Sequence, residues 1–150
     1  MKLYITTSYT QVLCIGVFNM FNDTITIYNK YYDFDKDLDT YQRTIVYGVF
    51  FNSQEGYIKN STNNTSDDKA KIFIPLNHSS ERQFLNAHEF ENAEDKSAYF
   101  TLAPGDLVVE GESHLEIRLA KNLKHYFTMT TVDFKGFGSP RMRHWVVHAK

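Results

Sequence analysis

The chain is poor in residues that staple or interrupt a fold: one cysteine, three prolines and seven glycines in 150 residues. The lone thiol, Cys14, has no internal disulfide partner, which suits a reducing compartment. A single domain of this length removes roughly 68–70% of its unfolded surface from water, so disulfide or metal staples are not needed. Long apolar runs are missing as well. Residues 12–18 fall far short of the ~20 that a membrane helix requires, and Phe18-Asn19-Met20 offers no small-residue cleavage site. Neither a membrane segment nor a signal peptide is expected. The net charge of −2 argues against a protein that coats nucleic acid non-specifically.

Catalytic and metal motifs are equally scarce. No Gly-x-Ser-x-Gly elbow occurs, and Gly136-Phe137-Gly138 is too short for a phosphate loop and reads as a hairpin turn. His144 and His148 have helical zinc spacing, but on a strand they stand about 13 Å apart, too far for two bonds of about 2.0–2.1 Å. His78, His88, His114 and His125 show no ligand spacing. Glu110 and Glu112 would share a strand face, as solvated edges often do. The expectation is no catalytic residues, no metal and no cofactor.

What the chain does have is aromatics: twelve Phe, ten Tyr and one Trp, set among Val, Ile and Thr runs that favour strands. The expected fold is mainly β, a small antiparallel β-barrel or sandwich with one or two short helices and a long hairpin loop. Residues 20–150 are expected to form this single domain. Residues 1–19 are an N-terminal extension of open assignment, lying outside the mature domain if Met20 is the start, or pairing as a strand with the core or a neighbour.

Residues 23–28 alternate as a half-buried strand, and 33–39 is an acidic, solvated loop. Residues 41–51 give the strongest strand, with 41, 43, 45, 47, 49 and 51 on one face and Gly48 marking a bulge or bend. Residues 52–69 form a polar, structureless loop, about 23 Å in r.m.s. span as a flexible chain. Residues 70–75 return as a strand, so the two make a long hairpin. A short helix is expected at 80–85 and a strand at 98–102. Pro104-Gly105 suits a type II turn, with Asp106 opening the next strand rather than presenting a carboxylate. An apolar stretch at 117–126, a strand at 127–133, a turn at 136–140 and a strand at 141–149 complete the chain.

Charge is unevenly spread. Nine acidic residues lie between Glu81 and Glu116, against Arg82 and Lys96, whereas seven Lys or Arg lie between Arg118 and Lys150, against Asp133. These blocks either pair within the fold or serve head-to-tail contacts between copies. Lys135, Arg141 and Arg143 make a basic edge without aromatics interleaved on the same face, which suits solvent or subunit contacts better than a nucleic-acid reader, with weak, sequence-blind contact in a DNA channel left open.

The order of several short motifs resembles a known family. They are Thr24-Ile25-Thr26-Ile27-Tyr28, Tyr41-Gln42-Arg43-Thr44-Ile45-Val46-Tyr47-Gly48-Val49, Ile72-Phe73-Ile74-Pro75, Leu102-Ala103-Pro104-Gly105-Asp106 and Phe137-Gly138-Ser139-Pro140-Arg141-Met142-Arg143-His144-Trp145. Residues 20–150 so resemble the head–tail connector proteins of tailed bacteriophages (neck, head-completion, stopper-like or minor capsid proteins). The resemblance implies a non-enzymatic β-barrel subunit of a homo-oligomeric ring, a hexamer or dodecamer, in the virion, assembled in the host bacterial cytoplasm. It implies portal or adaptor and tail proteins as partners, transient sequence-independent contact with passing DNA, and no membrane. Asn60, Ser61, Asn63, Asn64, Asp67 and Asp68 would then belong to a loop that docks or closes the channel, and Lys135, Arg141 and Arg143 to subunit or channel contacts. A β-sandwich module that binds carbohydrate or protein through exposed Tyr and Trp145 is the alternative.

Overall fold

The computed structural model describes residues 20–59 and 64–150, without the side chains of 57–59 and 64–66. The first nineteen residues and the centre of the polar loop, with Asn60, Ser61 and Asn63, lie outside the described residues. The chain opens with a hairpin of β1 (Asp23–Asp33) and β2 (Leu38–Gln54), whose acidic turn is solvated as expected. The Asp33 carboxylate closes this turn by accepting from the Asp35 and Lys36 amides.

Gly48 carries φ +74° and is skipped in the pairing, since Asp23 faces Val49 and Thr24 faces Tyr47. The expected bulge is therefore present, and it reverses the side-chain alternation of β2. Val46, Val49 and Phe51 share the barrel interior, so the single face expected for 41–51 breaks at Gly48. Beyond the bulge β2 pairs with β5 (Lys69–Pro75), which gives the expected hairpin. β9 (Leu107–Glu110), β10 (Phe127–Lys135) and β11 (His144–Ala149) complete the circuit. The antiparallel order β1-β9-β10-β11-β5-β2 closes back on β1, a six-stranded barrel. Ile25, Ile27, Ile72, Val108, Met129 and Val147 fill its interior with side chains, each worth roughly 1.5–3 kcal/mol in removal from water. A barrel this narrow is a packed core rather than a conduit.

β1 was expected to be half-buried, yet residues 25–29 are buried on both faces. Tyr28 and Leu107 face outward into a second apolar cluster with Ile117 and Leu123, which lie in the segment that crosses this face after β9. That segment contains only one 3-10 turn, Ala120–Asn122. The 80–85 region is not helical. It holds β6 (Ser79–Ser80), which extends the edge of β2, and β7 (Gln83–Phe84), which pairs in parallel with β8 (Tyr99–Phe100). The helix, α1 (Ala87–Asn92), starts later because the Asn86 side chain caps it by accepting from the Glu89 amide at 2.9 Å. Pro140 opens a 3-10 turn over Pro140–Met142, so the last strand begins at His144 and not at 141.

Candidate functional site

The described part of the 52–69 segment, residues 52–59 and 64–69, forms a paired extension of the β2–β5 hairpin rather than a structureless loop. β2 runs on to Gln54, and β3 (Tyr57–Lys59) pairs with β4 (Asn64–Ser66), where Asn64 faces Lys59. The polar composition of the segment gives no alternation that would mark this pairing. At its base the Asp67 amide donates to the Gly56 carbonyl at 2.9 Å, and the Gly56 amide donates to Asp68 Oδ1 at 3.1 Å. Asp67 also pairs with Lys69 at 3.0 Å. Asp67 and Asp68 thus fasten the stem of the extension rather than standing free at its tip.

Beside this stem lies a half-open cleft of about 480 Å³. It forms because β9 and β10 pair over only Val108–Phe127 and Leu107–Thr128, and the chain before Phe127 then swings away from Val109. Val109, Tyr126 and Phe127 line it with apolar surface, while Glu55, Asp68 and Glu110 set three carboxylates against Lys124 and His125. Glu110 and Glu112, expected on one strand face, are separated by Gly111. Glu110 ends β9 at the cleft, while Glu112 accepts from the Tyr47 hydroxyl at 2.5 Å.

The basic residues gather at the opposite end of β10. Lys135 ends that strand opposite His144, Arg141 lies exposed in the 3-10 turn, and Arg143 directly precedes β11 with its Nε buried and without an acceptor among the described residues. Contrary to the sequence expectation, apolar side chains stand among them: Phe134 is 53%, Phe137 74% and Met142 64% exposed. Their adjacency to Lys135, Arg141 and Arg143 was visible in the sequence, but their exposure follows from the hairpin geometry. A Cβ on Gly136 would lie 2.7 Å from the Phe134 ring, so glycine lets that ring fold over the turn. Phe134 then packs on Trp145 at 5.2 Å, and Trp145 on Phe84 at 4.5 Å. Trp145 is accordingly half-buried among aromatics, not the exposed platform expected of a sugar-binding module.

Several members of the acidic block find their counter-charges outside the basic block. Glu81 and Glu116 pair with Arg43, Arg82 with Glu81, and Lys135 contacts Asp133 at 4.0 Å. Among the described residues no salt bridge joins residues 81–116 to residues 118–150. Nor does any group of three or more His, Cys, Asp and Glu side chains there have the placement to hold a metal ion. His144 and His148 lie on one strand, as the spacing argument assumed.

Asp106 is a buried carboxylate with a structural task. Asn29 Nδ2, the Lys30 amide and the Ala103 amide donate to it at 2.8, 3.0 and 3.2 Å, which ties the Pro104-Gly105 turn to β1. Burial pushes its pKa up to about 6 against those donors. Gly105 takes the positive φ expected of the turn, and β9 begins at Leu107, one residue after the expected Asp106.

These features define a small closed β-barrel with a hairpin extension and two chemically distinct ends. The chain belongs to DUF6751, a family of unknown function whose model matches residues 20–150. No curated protein and no solved structure matches the chain.

Proposed function

We propose that the chain is a bacteriophage virion protein, a β-barrel subunit of the head–tail connector ring that joins the portal and head to the tail. The observation that carries this reading is a closed, side-chain-filled barrel bearing a hairpin extension, with an acidic and a basic block that no described salt bridge joins to each other within one copy. Since the barrel has no lumen, any DNA path would run through a ring of copies. The hairpin extension, including Asn64, Asp67 and Asp68 at its described part, would project from the barrel to dock on a neighbour or close that path. Lys135, Arg141 and Arg143 would serve subunit contacts or brief contact with DNA. The working parts are shape and association, and no bond-making step is assigned.

Mass photometry and electron microscopy of the purified chain, alone and mixed with candidate portal and tail proteins, test this. Rings, or incorporation into a neck, are the expected result. A chain that stays monomeric and enters neither ring nor virion refutes the reading.

The second reading is a non-enzymatic binding module, favoured by the 480 Å³ cleft with its mixed apolar and charged lining. A glycan array and a peptide array distinguish it, since a connector subunit should retain neither kind of ligand.

A further inference from the structure

We propose that the basic hairpin tip between β10 and β11 seats in the acidic cleft beside the β2–β5 stem of a second copy of this chain, the contact by which copies join head to tail. This inference rests on the ring reading and names the surfaces that the ring would use.

The two surfaces occupy opposite ends of one strand. The cleft is lined by Phe127, the first residue of β10, and the tip begins at Lys135, the last. At about 3.3 Å per residue these ends are roughly 25 Å apart, so a tip does not reach the cleft of its own copy. Each copy therefore offers one of each, which is the arrangement of a heterologous contact that propagates into a ring or a filament.

Their chemistry matches. The tip presents Phe137 and Met142 at 74% and 64% exposure among Lys135, Arg141 and Arg143. The cleft offers Val109, Tyr126 and Phe127 as apolar lining, with Glu55, Asp68 and Glu110 in excess over Lys124 and His125. Glu110 belongs to the acidic block and the three tip cations to the basic block, which no described salt bridge joins within the chain. Seating one on the other buries the exposed aromatic ring and sets Glu55, Asp68 and Glu110 against the three tip cations.

The test is sedimentation velocity of the full-length chain over a wide concentration range, in low and high salt. The variants are Phe137→Ala, the tip reversal Lys135→Glu with Arg141→Glu, the cleft reversal Glu55→Lys with Glu110→Lys, and the chain carrying both reversals. All these positions except the half-exposed Lys135 are exposed, and unchanged circular dichroism would certify folding. The expected result is salt-sensitive assembly of the wild type, weakened roughly tenfold or more by Phe137→Ala and by either reversal, and restored in the doubly reversed chain. If the wild type assembles and the surface variants assemble equally well, or if the double reversal restores nothing, this contact is wrong while the ring reading stands. A wild type that is monomeric at every concentration also overturns the contact. The ring reading then falls only if the chain is absent from virions.

Discussion

Asn29 and Asp106 bond through their side chains at 2.8 Å in the interior, where neither is more than 4% exposed. The Asn29 amide donates at the same time to the Thr101 carbonyl at 2.7 Å, and its own oxygen accepts from the Thr101 amide. One asparagine on β1 thereby fixes both the approach to the Pro104-Gly105 turn and the carboxylate that follows it.

This carboxylate makes stability depend on pH. Its folded pKa of about 6 lies above the ordinary 3.8, so the folded state binds the proton more tightly than the unfolded chain. Its stabilising contribution is complete below pH 3.8 and is lost as pH rises through 6, a change of about 3 kcal/mol at most. Asp106→Asn removes the titration. Urea unfolding across this window should show the advantage of the wild type over the variant shrinking as pH rises, and a constant difference would contradict it.

A phenol helps to hold the outer apolar cluster in place. Tyr28 Oη lies 2.8 Å from Ser113 Oγ and donates to the Leu115 carbonyl at 2.8 Å, pinning the crossing segment to β1. Tyr28→Phe keeps the ring but drops both bonds, at a cost of about 1–3 kcal/mol. Hydrogen exchange should quicken over 111–124, while the amides of β2 and β5 keep their protection. Equal loss in both regions would mean that the segment and the barrel open together.

Trp145, the only tryptophan of the chain, reports on the basic tip. In Gly136→Ala the new methyl group meets the Phe134 ring, which must leave its place against Trp145. A shift in tryptophan emission with little loss of stability, roughly 1 kcal/mol or less, is the expected outcome. An unchanged spectrum would show that the ring's position does not depend on the glycine.

How much of this was legible in the sequence depended on whether local chemistry or long-range register decided it. The alternation of Thr24 to Tyr28, the glycine break at position 48 and the Pro104-Gly105 turn are local, and each was readable. The helix opens later than the 80–85 reading because apolar periodicity, poor throughout this segment, gives little signal for six residues that bury only Phe90. Asn86 with Glu89 three residues on was the better one. Burial of both faces of β1 required knowing that residues 111–124 return across it. The cleft was invisible because it arises where two strands stop pairing, and no residue type marks that place. Of the expected loop residues, Asp67 and Asp68 serve its stem, and Asp68 also lines the cleft.

The barrel is closed unevenly around its girth. β1 and β2 share eleven residue pairs, whereas β9 and β10 share two, reinforced by the bonds of Met129 with Gly105 and Asp106. Such a wall resembles a cylinder fastened firmly along most joints and by a short clasp along one. A load that tends to unroll it concentrates at the clasp, so tearing starts beside Val109 while the β1–β2 ribbon stays whole.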